Sequence, residues 1–155
     1  MAVGYSIVTA GAVALAAGVA KSILGAKSHA NFGLQLKCFD IGFDGVTASA
    51  VPALIEVCYC TWATNSPGTA STSVTPAQKY GRLLTVGFTA GKTWTTEPTA
   101  ITVNKEFLLS PNGGVYSYQY PLGIEPDSAL GEGFLLRITA PAIVNVRASM
   151  DFERV

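Results

Sequence analysis

The sequence predicts an all-β fold, an antiparallel β-sandwich or jelly-roll-like domain, from three observations. Apolar and polar residues alternate over residues 143–155, where the apolar members run from Val144 to Phe152. Short apolar segments bounded by Gly, Pro, Asn and Asp fill much of the remaining chain. No amphipathic helical pattern of useful length follows residue 30. Because a strand with one apolar face needs a second sheet to cover it, the pattern indicates two packed sheets.

Composition favours a single domain that belongs to an assembly. A chain of 155 residues is long enough to bury one sizeable core. Charged residues make up 13% of it, and the ten basic and ten acidic side chains cancel. Zero net charge leaves no electrostatic footprint for a nucleic acid or an anionic membrane, so we expect neither partner. So few charges also protect a monomer poorly against association.

Residues 1–20 are uncharged and rich in Ala, Gly and Val. Interruptions by Gly, Ser and Thr argue against a transmembrane helix, and the absence of an early positive charge argues against a signal peptide. The segment has too few large side chains for its own core, so we expect an extended N-terminal arm that orders against a neighbouring subunit. The remaining residues, 21–155, are expected to form a single β-sandwich domain. The predicted interface residues of the arm are Val3, Tyr5, Ile7, Val8, Val13, Leu15 and Val19.

The β domain is expected to begin with a short strand near residues 19–27 and a longer one over residues 32–43. In the longer strand, apolar residues have even numbers up to Cys38 and odd numbers from Phe39 onward. A change of parity inside a strand is typical of a β-bulge, although burial of both faces gives the same pattern.

Turn and loop signals divide the middle of the chain. Asp44-Gly45 marks a turn. Residues 54–62 are apolar on both faces except at Glu56, which predicts a central strand. Residues 63–79 are rich in Ser, Thr, Pro, Gly and Asn, so we expect a long surface loop there.

Four further strands are predicted at residues 80–88, 100–110, 115–120 and 134–139. The residues Pro111-Asn112-Gly113-Gly114 are a hairpin turn signal between the second and third of these strands. The alternating segment over residues 143–155 then closes the domain.

Motifs that carry catalysis fit this chain poorly. Residues 90–93 (AGKT) resemble the end of a phosphate-binding loop, but the glycine that the motif needs upstream is replaced by Val86, and no helical pattern follows. The other candidates are the single histidine, His29, and the carboxylate pairs Asp40 with Asp44 and Asp151 with Glu153. His29 lies in a predicted connecting segment, Asp44 at a predicted turn, and Asp151 with Glu153 on a predicted exposed strand face. These positions explain the residues better than a nucleophilic or glycosidase site does. We expect no catalytic residue and no cofactor.

The three cysteines are Cys38, Cys58 and Cys60. An odd number cannot form a closed disulfide framework, and the spacing of Cys58 and Cys60 is not the CxxC of a zinc site. We expect three free thiols, no bound metal and assembly in a reducing cytoplasm.

Five aromatic residues form a candidate face for a glycan or another partner: Trp62, Trp94, Tyr116, Tyr118 and Tyr120. The three tyrosines share one face of a predicted strand, and flat rings stack well on sugars. A tyrosine stripe is also typical of a sheet face packed in a core or an interface, because aromatic residues favour half-buried pleated surfaces.

Several segments carry a resemblance to a known family: residues 43–50 (FDGVTASA), 51–57 (VPALIEV), 120–123 (YPLG), 137–141 (RITAP) and 144–148 (VNVRA). Over residues 20–155 the chain resembles small virion structural proteins of tailed bacteriophages, of the kind that decorate or cement the capsid. The resemblance implies an all-β fold, oligomers on the virion and no catalytic residues.

We therefore expect a capsid decoration protein, assembled in the host bacterial cytoplasm and located in the virion. Its expected partners are further copies of itself, as a homotrimer, and the major capsid protein. The alternative is a tail or head-fibre adhesin that binds a host surface glycan through the aromatic face and the loop of residues 63–79.

Overall fold

The computed structural model describes residues 2–44 and 51–155, which form two antiparallel sheets packed face to face. The predicted all-β sandwich is confirmed. The strands are β1 (Gly4–Val8), β2 (Val13–Leu15), β3 (Ala20–Lys27), β4 (Leu34–Asp44), β5 (Ala53–Cys60), β6 (Thr72–Val74), β7 (Ala77–Tyr80), β8 (Thr89–Lys92), β9 (Ile101–Leu109), β10 (Tyr116–Gln119), β11 (Gly133–Thr139) and β12 (Val144–Arg154). Within the described ranges no helix is long and apolar enough to cross a membrane.

The first sheet has the order β10-β4-β12-β1-β7, with β2 also paired to β12. The second sheet has the order β6-β8-β3-β11-β5-β9. The main core lies between the sheets and includes Phe39, Phe134 and Phe152, of which the last two stack with ring centroids 5.9 Å apart. The sandwich leaves β9 and β10 as the neighbouring edge strands of the two sheets, since Phe107 of β9 contacts Tyr116 of β10.

The closing strand β12 lies in the middle of the first sheet, between β4 on one side and β1 with β2 on the other. Its alternate residues from Val144 to Phe152 are buried, and those between them are half-buried or exposed. The predicted two-faced strand is confirmed. Its central position explains why the alternation is so regular, because one whole face covers the core while the other faces away from it.

The change of parity predicted within the strand over residues 32–43 is a β-bulge in β4. Cys38 pairs with Asp151 and Leu36 pairs with Phe152, which leaves Lys37 as the extra residue. Beyond the bulge, Phe39 and other odd-numbered residues face the core. The change of parity in the sequence is therefore the direct consequence of one inserted residue.

The extended N-terminal arm of residues 1–20 is not confirmed. β1 pairs with both β12 and β7, so it lies inside the first sheet of its own chain, and β2 also pairs with β12. Gly4 allows this packing, because a Cβ atom there would lie 2.2 Å from the ring of Tyr80. Close packing thus accounts for the small residue at Gly4, and β1 and β2 form part of the first sheet instead of an arm.

The remaining differences between the predicted and observed strands have two causes: some strands are short, and the chain passes from one sheet to the other between β9 and β10. Residues 63–79, expected to be a loop, contain β6 and the start of β7, and residues 80–88 are almost entirely irregular instead of a strand. The turn at residues 111–114 is present, with Gly113 N donating to Ser110 O at 3.0 Å, but it joins β9 of the second sheet to β10 of the first. It is therefore not a hairpin. The predicted Asp44-Gly45 turn falls partly outside the described residues.

Candidate functional site

The five residues of the predicted aromatic face lie in two separate clusters. Trp62 and Trp94 are buried with Cys58, Cys60 and Leu135, in a cluster distinct from the main core. The two indole rings stack with centroids 5.7 Å apart and an interplanar angle of 19°. This pair belongs to a small second core over the outer face of the second sheet.

Hydrogen bonds hold the tryptophan pair in place. Trp62 Nε1 donates to Ala26 O at 3.1 Å, and Trp94 Nε1 donates to Asn65 O at 2.8 Å. Trp62 also adopts a left-handed backbone conformation, with φ of 56°. Satisfied donors and near-complete burial indicate a structural role, because neither ring offers a flat surface to a ligand.

Tyr116 and Tyr118 lie on β10 and Tyr120 directly follows it, and the three rings pack against the main core at the open side of the sandwich. Tyr116 lies 4.5 Å from Phe107 of β9, and Tyr118 lies 5.7 Å from Phe39 of β4, measured between ring centroids. Tyr120 is also within aromatic contact of Phe39. The stripe is half-buried, so the alternative of a sheet face packed in a core describes it best.

Charge and burial restrict what this aromatic edge can bind. Lys105 Nζ lies 4.2 Å from the centroid of the Tyr118 ring and covers that face with a cation. Burial raises the pKa of Tyr120 to about 12, and its hydroxyl has no hydrogen-bond partner within the described residues. The structure therefore does not assemble a joint tyrosine and tryptophan platform for a sugar.

The seven residues predicted as an N-terminal interface are mostly core residues of their own chain. Five are buried in the main core: Val3, Tyr5, Ile7, Val13 and Leu15. Val8 and Val19 are exposed. The structure therefore packs five of the predicted interface residues inside their own domain and leaves two at its surface, and the contact with a neighbouring subunit stays a prediction.

Sequence reasoning did not find a groove of about 560 Å³ on the outer face of the first sheet. Gly42 lines it, and Arg147, which also lines it, is directly opposite in the neighbouring strand. Asp40 and Asp44 flank the glycine on the same strand and also line the groove.

The polar groups of this groove satisfy one another only in part. Ser149 Oγ donates to Asp40 Oδ2 at 2.9 Å. Arg147 Nε lies 3.9 Å from Asp44 Oδ2, with 62% of the arginine side chain exposed. Within residues 2–44 and 51–155, no group of three His, Cys, Asp or Glu residues could hold a metal ion. The groove can therefore form hydrogen bonds and weak ion pairs with a polar partner.

The bulge in β4 places Cys38 in a charged network on the same outer face. Its Sγ lies 3.1 Å from Asp151 Oδ2, which also accepts from Lys79 Nζ at 2.5 Å. Burial, followed by the hydrogen bond to Asp151, raises the pKa of the Cys38 thiol to about 12. Burial acts to raise the pKa of Asp151, but hydrogen bonds from Lys79 and other donors outweigh it and leave that pKa lowered.

The other two cysteines are also thiols without a disulfide bond. Both lie in the second core, on the face of β5 that also carries Glu56. Burial raises the pKa of Cys58 to about 12 and raises the pKa of Cys60. Side chains in this state behave as small apolar groups, as the sequence predicts.

A further ion pair lies on the outer face of the second sheet. Glu56 pairs in register with Arg137, and the guanidinium donates to both carboxylate oxygens, at 2.8 and 3.0 Å. The hydrogen bond to Glu56 raises the pKa of Arg137. The single charge in an apolar strand was the sequence signal for this pair, but only the strand register identifies its partner.

Large aliphatic side chains remain exposed on connections between strands. The most exposed is Leu122, at 92%, and Leu83 follows at 87%. Ile124, Leu130 and Ile143 are also exposed.

Comparisons of the chain with protein-family models, curated proteins and solved structures find no match.

Proposed function

We propose that the chain is a virion structural protein of a tailed bacteriophage, a decoration or cement protein that stabilises the capsid shell. It binds across subunits of the major capsid protein and forms a homotrimer. Two observations support this function. Residues 20–155 resemble such proteins, and large aliphatic side chains are exposed on the connections between strands, which is the observation that carries the proposal.

Exposed aliphatic side chains support an assembly role because water solvates them poorly. Burial of a leucine side chain is favourable by about 1.5–3 kcal/mol. Leu83, Leu122 and Ile124 forgo most of that contribution in the isolated chain. With charged residues at only 13% of the sequence, few side chains oppose association at these positions.

The proposed trimer leaves β1 and β2 in the first sheet of their own chain. β1 and β2 are paired within the first sheet, so pulling them onto a neighbour would remove Tyr5 and Ile7 from the core. A closed trimer still suits a shell, because it matches local three-fold positions without leaving an unpaired heterologous surface.

Electron microscopy of virions, together with co-sedimentation on shells that lack the protein, tests this proposal. We expect the purified chain to bind such shells at regular positions and to raise their resistance to heat. Light scattering should give three times the mass of one chain. A monomer that does not bind shells contradicts the proposal. Binding to a host glycan on an array, without shell binding, would favour the adhesin.

A further inference from the structure

The connection between β10 and β11, residues 120–132, is a long loop that is anchored throughout. Ser128 N donates to Leu34 O at 2.8 Å, and Leu34 N donates to Ser128 Oγ at 3.0 Å. Leu36 N donates to Pro126 O at 3.0 Å. Connections of this length are usually disordered or functional, and hydrogen bonds of this kind hold a loop in one conformation.

The turn at the start of the loop directs its charge inward and its apolar side chains outward. Glu125 accepts from Lys37 Nζ and from Gly123 N, both at 2.6 Å, and is nearly buried. Gly123 has φ of +91°, a left-handed conformation that favours glycine. On either side of it, Leu122 and Ile124 project into solvent, at 92% and 67% exposure.

We propose that the 120–132 loop is the surface through which the chain docks onto an apolar patch of the capsid shell. This inference rests on the proposed decoration function and names the contact that would perform it. The anchored backbone favours docking, because a loop already held in its bound conformation loses little entropy on binding.

The size of the exposed surface argues for a shell rather than a second copy as the occupant. Leu122, Ile124 and Leu130 together expose on the order of 200 Å² of apolar surface. A stable dimer buries about 800 Å² on each partner. A contact this small binds two free molecules weakly. On a shell, the linked copies of the proposed trimer each make the same contact, and together they bind more tightly than one copy does.

The test compares a double variant, Leu122→Ser with Ile124→Ser, with the matched control Ile143→Ser. Ile143 is also an exposed aliphatic residue, but it lies just before the first residue of β12. The loop is hydrogen-bonded to the part of β4 that pairs with the last residues of β12, so the two sites are at opposite ends of that strand. Because all three side chains are exposed, we expect the variants to keep the melting temperature of the wild type.

Co-sedimentation with shells lacking the protein, alongside light scattering, separates the outcomes. We expect the double variant to bind shells about tenfold more weakly or worse, and the control to bind as the wild type does. Equal binding by the double variant overturns the loop assignment while leaving the decoration function intact. Loss of self-association with unchanged shell binding also overturns it, because the loop then covers another copy. Absence of shell binding by the wild type overturns the decoration function itself.

Discussion

Replacing Ile7 with alanine should destabilise the folded domain, whereas replacing its neighbour Val8 should not. Ile7 lies on β1 with no exposed surface, in the main core, and pairs in register with Met150 of β12. Val8 follows it on the same strand, faces away from the core and is 45% exposed. The two variants therefore remove aliphatic atoms from opposite faces of one strand.

The expected magnitude follows from burial. Truncating a fully buried isoleucine to alanine costs about 2–5 kcal/mol, which is a large part of the ~5–15 kcal/mol that stabilises a typical domain. For a chain of this length, that loss lowers the melting temperature by roughly 5–15 °C. Val8→Ala should change stability by no more than about 0.5 kcal/mol.

Thermal melts by circular dichroism at several protein concentrations check the reasoning. If β1 belongs to its own chain, the destabilisation by Ile7→Ala is the same at every concentration. A residue packed on a neighbouring subunit would instead make the effect depend on concentration. Melting of Ile7→Ala within about 2 °C of the wild type would refute the placement of β1 in the core.

Three further outcomes follow from the structure. Met150→Asp should prevent folding because Met150 is fully buried, whereas Arg147→Ala should cost less than ~1 kcal/mol; thermal melts that rank them the other way would contradict the register of β12. The hydrogen bond from Lys37 lowers the pKa of Glu125 below its usual 4.5, so the pair stabilises the fold above that pH and this contribution is lost as pH falls through the folded pKa. Glu125→Gln should therefore lower the unfolding free energy at pH 7 and flatten its decline in acid, and an unchanged acid limb would contradict this. Thiol titration should find three reactive thiols in denatured protein and slow reaction in native protein, without stoichiometric metal, because burial raises all three thiol pKa values.

Part of the candidate site could be predicted from the sequence, and part could not. The tyrosine stripe along β10 and the residue that follows it was predicted because alternate residues share one face of a strand. The prediction joined Trp62 and Trp94 to the same face as the tyrosines, whereas the structure places them in a separate cluster. Nothing local in the sequence indicates which face of which sheet a loop covers. The groove beside Gly42 was missed for a related reason, as it depends on Arg147 lying opposite a glycine in another strand.

The sequence by itself determined the fold class and the two faces of β12, and it indicated an irregularity in β4 that the strand register identifies as a bulge. Each of these is a local property, because a period of two and a change in its parity report directly on which side chains are buried. Only the tertiary structure decided which strands pair. It placed β1 between β12 and β7 instead of on a neighbour, and it carried the chain from β9 to β10 across the two sheets. An apolar face shows that a segment must be covered, but the covering residues are distant in sequence, so the segment alone does not specify them.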